Sequence, residues 1–193
     1  MPIGSFNLLQ KQQIKKLMAT TKWAIDPTHS EIGFKVKHMM FTTISGKFSK
    51  FDASIESEDN NFENAKIEFT GAIDSISTGN ADRDTHLLSP DFFDAPQFPE
   101  IKFKATSFTK INEGEYELVG DLSMHGVTKS VKLATEFSGL MSDPWGNTKL
   151  AFSIESKINR KDWGLNWNSA LETGGVLVGE EVRLNIELQF VKL

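Results

Sequence analysis

From Lys22 onward, hydrophobic and polar positions alternate with a period of two, the pattern of strands that bury one face. Ile32, Phe34, Val36 and His38 alternate with Gly33, Lys35 and Lys37, and Ile44, Gly46 and Phe48 begin a second run. That run changes phase to Phe51, Ala53 and Ile55, which predicts a β-bulge near Lys50. Ile67, Phe69, Gly71 and Ile73 alternate with Lys66, Glu68 and Thr70, and Ile101, Phe103 and Ala105 with Lys102, Lys104 and Thr106. Tyr116, Leu118, Gly120 and Leu122 follow, then Val131, Leu133, Thr135 and Phe137, then Leu150, Phe152 and Ile154. Val182, Leu184, Ile186, Leu188 and Phe190 close the chain. Turn signals separate the runs at Asp26-Pro27, Asn112-Glu113-Gly114, His125-Gly126 and Asp143-Pro144-Trp145-Gly146. About eight strands joined mostly by short turns predict an all-β domain whose antiparallel sheet closes or folds on itself. Residues 80–93 predict a short helix after Thr78-Gly79, and residues 166–173 a further helical turn before Gly174-Gly175.

The inward face of these strands carries an unusual mixture. Gly46, Gly71, Ala105 and Gly120 fall in phase with Phe48, Phe69, Phe103 and Leu118. Two readings stay open. Glycine can relieve strand coiling or let a neighbouring phenylalanine ring pack over it. Alternatively, the missing side-chain volume leaves a lumen, since an eight-stranded barrel can be filled or can hold one small ligand. An aromatic, uncharged lumen would select something long and apolar.

Length and composition narrow the class. A chain of 193 residues and 21.6 kDa builds one core of ordinary size. Hydrophobic residues are 39% and charged residues 24%, which excludes a wholly disordered chain. No run approaches the roughly 20 apolar residues of a membrane-spanning helix, and with no cysteine there is no disulfide, zinc-thiolate site or thiol nucleophile. The net charge of −5 argues against nucleic acid as a partner. Fifteen phenylalanines against one tyrosine point inward, to a large unsubstituted apolar surface.

The first 22 residues differ from the rest, with Lys11, Lys15, Lys16 and Lys22 and no acid. Phe6, Leu9, Ile14, Leu17 and Met18 share part of a helical face, so residues 1–20 read as an N-terminal helical extension to a domain over residues 21–193. Three accounts of it stand: a loosely docked extension, an upstream start before a native Met18, or a membrane-surface anchor. Gln10, Lys11, Gln12 and Gln13 interrupt any signal-peptide core, so the expected location is cytoplasmic.

Motifs of catalysis are missing: there is no G-x-S-x-G elbow, phosphate loop, H-E-x-x-H or G-x-G-x-x-G. Asn80, Asp82, Asp84 and Asp91 imitate part of a calcium loop, but Thr85 stands where glycine is required. His29, His38, His86 and His125 are scattered singly and read as turn or core residues, and no metal or cofactor is expected. Asp52, Glu56, Glu58 and Asp59 read as solvated surface, and no carboxylate pair suggests acid–base work. Arg83 and Arg160 have two readings. Each is surface or ion-paired charge, with Asp82, Asp84 and Asp162 as partners for Arg160, or each is a guanidinium fork for the polar head of a ligand.

Several segments together resemble the YceI-like proteins. They are Trp23-Ala24-Ile25-Asp26 with His29-Ser30-Glu31-Ile32-Gly33-Phe34, and Gly46-Lys47-Phe48. Arg83-Asp84-Thr85-His86-Leu87 follows, with Asp91-Phe92-Phe93-Asp94 and Phe98-Pro99. Leu122-Ser123-Met124-His125-Gly126-Val127-Thr128 and Asn159-Arg160-Lys161-Asp162-Trp163-Gly164 complete the set, in order from Thr21 to the C-terminus. The resemblance implies a closed eight-stranded, lipocalin-like antiparallel barrel whose lumen holds a polyisoprenoid chain or an isoprenoid quinone. Such proteins are often exported, whereas this chain shows no signal peptide, and it has Trp163 where the family more often has phenylalanine. The reading is therefore non-catalytic binding or carriage of an isoprenoid-type lipid. Expected ligand contacts are Ile32, Phe34, Val36, Phe48, Phe69, Gly71, Phe103, Leu118, Gly120, Leu133 and Phe152, with Arg83 and Arg160 at barrel ends. Transient membrane contact and a homodimer are compatible with it. The rivals are an enzyme acting on such a lipid and a filled barrel serving as a protein-interaction module.

Overall fold

The computed structural model describes residues 20–58, 60–170 and 175–193. Eleven strands form one antiparallel sheet: β1 (Thr20–Ile25), β2 (Glu31–His38), β3 (Thr42–Phe48), β4 (Phe51–Glu58), β5 (Asn61–Ala72), β6 (Ile76–Ser77), β7 (Glu100–Asn112), β8 (Glu115–Met124), β9 (Val127–Ser142), β10 (Thr148–Asn159) and β11 (Val178–Lys192). They make eight barrel positions. β1 and β2 both pair with β11, at Phe190–Lys192 and Val178–Glu187 respectively, so they lie end to end along it. β4 and β3 then pair with β1 and β2 in the same way. β5, β7, β8, β9, β10 and β11 follow as neighbours in chain order, and β11 returning to β1 and β2 closes the barrel. Closure removes the exposed sheet edge that invites aggregation.

The phase change near Lys50 is a corner rather than the expected bulge. At Ser49 and Lys50 the chain passes from the partner of β2 to the partner of β1, and Ala72 N–H donates to Lys50 C=O at 2.9 Å. A bulge does occur in β7, where the register to β8 shifts between Ala105 and Ser107. It reverses the alternation, so Phe103 and Phe108, five residues apart, are both buried inside.

Helix α1 (Ala81–Leu88) is shorter than predicted. Asn80 caps it, its side chain accepting from Arg83 N–H at 2.9 Å, and it stops at Ser89 because the residue before Pro90 disfavours helix. The predicted turn over residues 166–173 is not helical where it is described. Ser169 and Ala170 run beside Leu177 and Val176, and the Asn168 side chain pairs with both the N–H and the C=O of Val178. Asn168 Oδ1 also accepts from the neighbouring Ser169 N–H at 2.9 Å, and such local side-chain bonding is how asparagine competes with helix. Residues 171–173 lie outside the described residues. So do residues 1–19 of the expected extension, and Thr20 already belongs to β1.

Outside the barrel, lysines face acids across strands, as in Lys104–Glu68, Lys132–Glu117 and Lys157–Glu181. Each such exposed pair contributes at most about 1 kcal/mol and chiefly fixes register. Stability rests on the inside.

Candidate functional site

The inside of the barrel is divided in two. The end bearing the β4–β5, β7–β8 and β9–β10 turns is filled by aromatic rings. Trp23, Phe62, Phe108, Tyr116, Phe137 and Phe152 form a continuous set with centroid separations of 4.7 to 6.5 Å. Phe152 sits at its centre, edge-on to Phe62 and Phe108. Trp23 Nε1–H is satisfied by Ser57 Oγ at 3.0 Å, so this plug has no unpaired indole donor.

Above the plug is a cavity of about 220 Å³. Nine expected residues line it: Ile32, Phe34 and Val36 from β2, Phe48 from β3, Phe69 and Gly71 from β5, Phe103 from β7, Leu118 from β8 and Leu133 from β9. Arg160 lines it as well. Three expected contacts do not. Phe152 belongs to the plug, Gly120 lies behind a ring, and Arg83 is outside the lining. Residues outside the expected contacts also line it, among them Ile67, Ile101, Ile154 and Ile158, and the inner face of β11 with Val182, Leu184, Ile186 and Leu188. The β11 alternation was a visible signal for the latter. Leu87, Phe92, Phe93 and Leu165 close over the upper end from the connections, and no strand periodicity marks them.

The inward glycines are accounted for by packing. A Cβ on Gly46 would meet the Phe34 ring, directly across the strand pair, at 2.3 Å. One on Gly120 would meet the Phe103 ring at 2.3 Å, and one on Gly71 the Phe69 ring at 3.0 Å. Each glycine seats a phenylalanine flat against the wall. These rings are the walls of the cavity, so the two readings of the glycines are one device: the missing side chains hold the rings back from the axis.

Arg160 is the one charged residue lining the cavity among the described residues, and it is 4% exposed. The structure rules out the expected pairing with Asp82, Asp84 or Asp162. Its Nε donates to Gly179 C=O at 2.9 Å, Nη1 donates to Leu165 C=O, and Nη2 reaches Val178 C=O at 3.4 Å. Asp162 instead meets Lys129 at 3.3 Å. Burial pushes the guanidinium below its ordinary value, opposed by the charge of Glu180; arginine nevertheless keeps its proton in proteins. Arg160 thus ties the chain after β10 to the start of β11 at the upper rim. Arg83 acts in a parallel way, with Nε donating to Thr78 Oγ1 at 2.6 Å and Nη2 to Thr78 C=O at 2.9 Å. Asp84 accepts from the Thr78 N–H at 2.8 Å, so helix and strand end are clasped together. Both guanidinium groups are committed to the chain itself.

The histidines sit away from the lining. His29 Nδ1 bonds Asp26 at 2.9 Å, His86 Nε2 bonds Asp91 at 2.9 Å with its ring edge-on to Phe92 and Trp167, and His125 Nδ1 bonds Trp163 C=O at 3.0 Å. Trp163, 1% exposed, donates to Leu122 C=O at 2.9 Å, which anchors the rim turn. The site thus offers an apolar volume of about 220 Å³, blind at the plug and covered at the upper end by the connections.

Comparison with known proteins agrees with this architecture. A family model described as YceI-like domain matches residues 23–190. UPF0312 protein SA2479 of Staphylococcus aureus is 36% identical over 171 residues, covering 88% of this chain and 97% of the relative. A crystal structure of the Campylobacter jejuni YCEI protein is 30% identical, with a TM-score of 0.70 over 80% of this chain and 88% of that one. Two more distant structures share the fold. They are Burkholderia cenocepacia BcnA (19% identity, TM-score 0.74, 86% and 98% covered) and a polyisoprenoid binding domain from Saccharophagus degradans (13% identity, TM-score 0.68, 88% and 97% covered). The segments that carry the resemblance, from Trp23-Ala24-Ile25-Asp26 to the Asn159–Gly164 turn, fall inside the matched region and build the barrel seam and rim, and on this ground the chain belongs to the YceI-like family.

Proposed function

We propose that the protein binds and carries an isoprenoid lipid, a polyisoprenoid or an isoprenoid quinone, with its hydrocarbon chain in the cavity and without chemical change to it. The observation that carries this reading is the lining: apolar side chains throughout, blind at the aromatic plug, with its single cation already bonded to backbone carbonyls. Apolar surface transferred from water contributes roughly 25 cal/mol per Å², so a tail enclosed by these residues is held by burial alone. The name of the Saccharophagus degradans domain, a fold neighbour, supports the ligand class.

Arg160, the one cation of the lining among the described residues, already serves Leu165, Gly179 and Val178, and Arg83, outside the lining, holds Thr78, so neither charge faces the cavity without a partner. The reading therefore favours an uncharged end group, such as a quinone or an alcohol, over a phosphate. Organic extraction and native mass spectrometry of the purified protein test it, with an isoprenoid expected in stoichiometric amount. Val36→Trp, which puts an indole into the cavity near its upper end, should reduce that occupancy while the protein stays folded. A barrel that never carries lipid would favour the interaction-module reading, and turnover of a bound lipid would favour an enzyme.

A further inference from the structure

The β2–β3 hairpin ends in Met39, Met40 and Phe41, which are 50%, 69% and 85% exposed. Three consecutive exposed apolar residues run against what solvent favours at a turn. The backbone is unusual there as well. Met39 and Met40 have φ of 51° and 57°, and Phe41 N–H donates to His38 C=O at 3.1 Å. Two left-handed residues in succession are the φ pattern of a type I′ turn, for which Asn-Gly is the favoured sequence. Methionine is a poor choice for it on conformational grounds. Its side chains, flexible and soft, suit an adaptable apolar contact instead.

The location of the tip completes the argument. Val36, three residues before Met39, lines the cavity, and so does Val178, whose strand partner is His38. Met39 N–H donates to Leu177 C=O at 2.7 Å, which braces the tip against the segment entering β11. The tip therefore stands at the upper end of the cavity, opposite the plug. On the outer face of the same strand, Lys35 and Lys37 are exposed and have no carboxylate partner among the described residues. An apolar tip beside unpaired cations matches the chemistry of an anionic bilayer surface: hydrocarbon below, negative head groups at the level of the lysines.

We propose that the Met39–Met40–Phe41 tip inserts into the head-group region of an anionic membrane and seats the upper end of the barrel on the bilayer. The purpose of that contact, exchange of a lipid too insoluble to cross water, rests on the carrier reading, but the docking does not. Flotation of the full chain with vesicles of phosphatidylcholine, alone or mixed with phosphatidylglycerol, measures it without any isoprenoid present. The unmodified protein should float with the mixed vesicles. The triple variant Met39→Asn, Met40→Gly, Phe41→Ser should lose at least about tenfold in vesicle affinity. Its melting temperature should stay level or rise, since Asn-Gly is the preferred pair for this turn. Lys35→Glu with Lys37→Glu should abolish the preference for phosphatidylglycerol. Trp145→Ser removes an equally exposed apolar residue at the plug end and should change nothing.

Undiminished flotation of the triple variant, equal loss in Trp145→Ser, or no flotation of the unmodified protein would overturn the proposal. Vesicle binding by a protein that never carries isoprenoid would leave docking standing and remove the carrier reading, whereas bound isoprenoid with no vesicle binding would do the reverse.

Discussion

Replacing Arg160 with methionine keeps most of the buried stem and removes every donor. Three carbonyls are affected, but not equally. Val178 C=O also accepts from Asn168 Nδ2 at 2.7 Å, so it keeps a partner, while Leu165 and Gly179 lose the arginine donors that serve them. A hydrogen bond to a charged donor contributes about 1.5–3 kcal/mol, and an orphaned buried acceptor costs its desolvation. Against this stands relief from burying a guanidinium, whose cost shows in the downward push on its proton affinity. The balance is a loss of about 3 kcal/mol, roughly 6–12 °C in Tm for a chain of this size. Urea unfolding followed by circular dichroism measures it directly. Arg160→Lys should recover little, because one ammonium cannot span carbonyls that a planar fork reaches together. Binding of a head-group-bearing isoprenoid and of a plain hydrocarbon should weaken by the same factor, as the rim loosens around both. A loss below about 1 kcal/mol together with selective loss of the head-group-bearing ligand would refute the clamp and restore Arg160 as a ligand contact.

Three further outcomes are expected. Gly120→Ala should destabilise by roughly 1–3 kcal/mol and Gly71→Ala by less, because the new Cβ meets the Lys104 carbonyl at 2.6 Å as well as the Phe103 ring in the first case and only the Phe69 ring in the second; thermal melts of both variants compare them. Phe152→Ala should cost about 3–5 kcal/mol and deepen the cavity into the plug, so the surviving folded fraction should accept longer isoprenoid chains, read by mass spectrometry of extracted lipid. The Asp26 carboxyl is held well below its ordinary value of 3.8, first by the Thr28 hydroxyl and then by His29 and Lys149, against the opposing effect of burial. A lowered carboxylate pKa gives stability that is complete above the ordinary value and lost as pH falls through the folded one. Asp26→Asn should therefore be less stable than the unmodified protein at neutral pH, with the gap closing below about pH 4, as urea midpoints across that range will show.

Much of the barrel was legible because strand alternation is local. Residues two apart share a face whatever the rest of the chain does, so the runs in β2, β5, β8, β10 and β11 marked both the strands and the side that turns inward. That the residues from Ile32 to Leu133 turn inward followed from that parity, and that they line a lumen followed from the resemblance. Where parity breaks, local reading failed. The bulge after Ala105 swings Phe108 into the plug, and the corner at Ser49 and Lys50 looks the same in sequence as a bulge.

What only the tertiary structure decided is how the inward side chains share one volume. Phe62 comes from the start of β5, Trp23 from β1, Phe137 from β9 and Phe152 from β10, and no spacing along the chain says that they converge on one end. The glycines behave likewise: Gly46 and Phe34 face each other only because β2 and β3 pair in one register. Arg160 was legible as a cation with an acid beside it in sequence, but its partners are main-chain carbonyls, which every residue possesses and no side-chain pattern reveals. Alternation thus determined that this chain would build an antiparallel sheet with one apolar face, and the resemblance to the YceI-like proteins implied its closure into a barrel. Strand register and bulges, set by pairings between residues far apart in sequence, decided which half of the barrel interior is filled and which half holds the cavity.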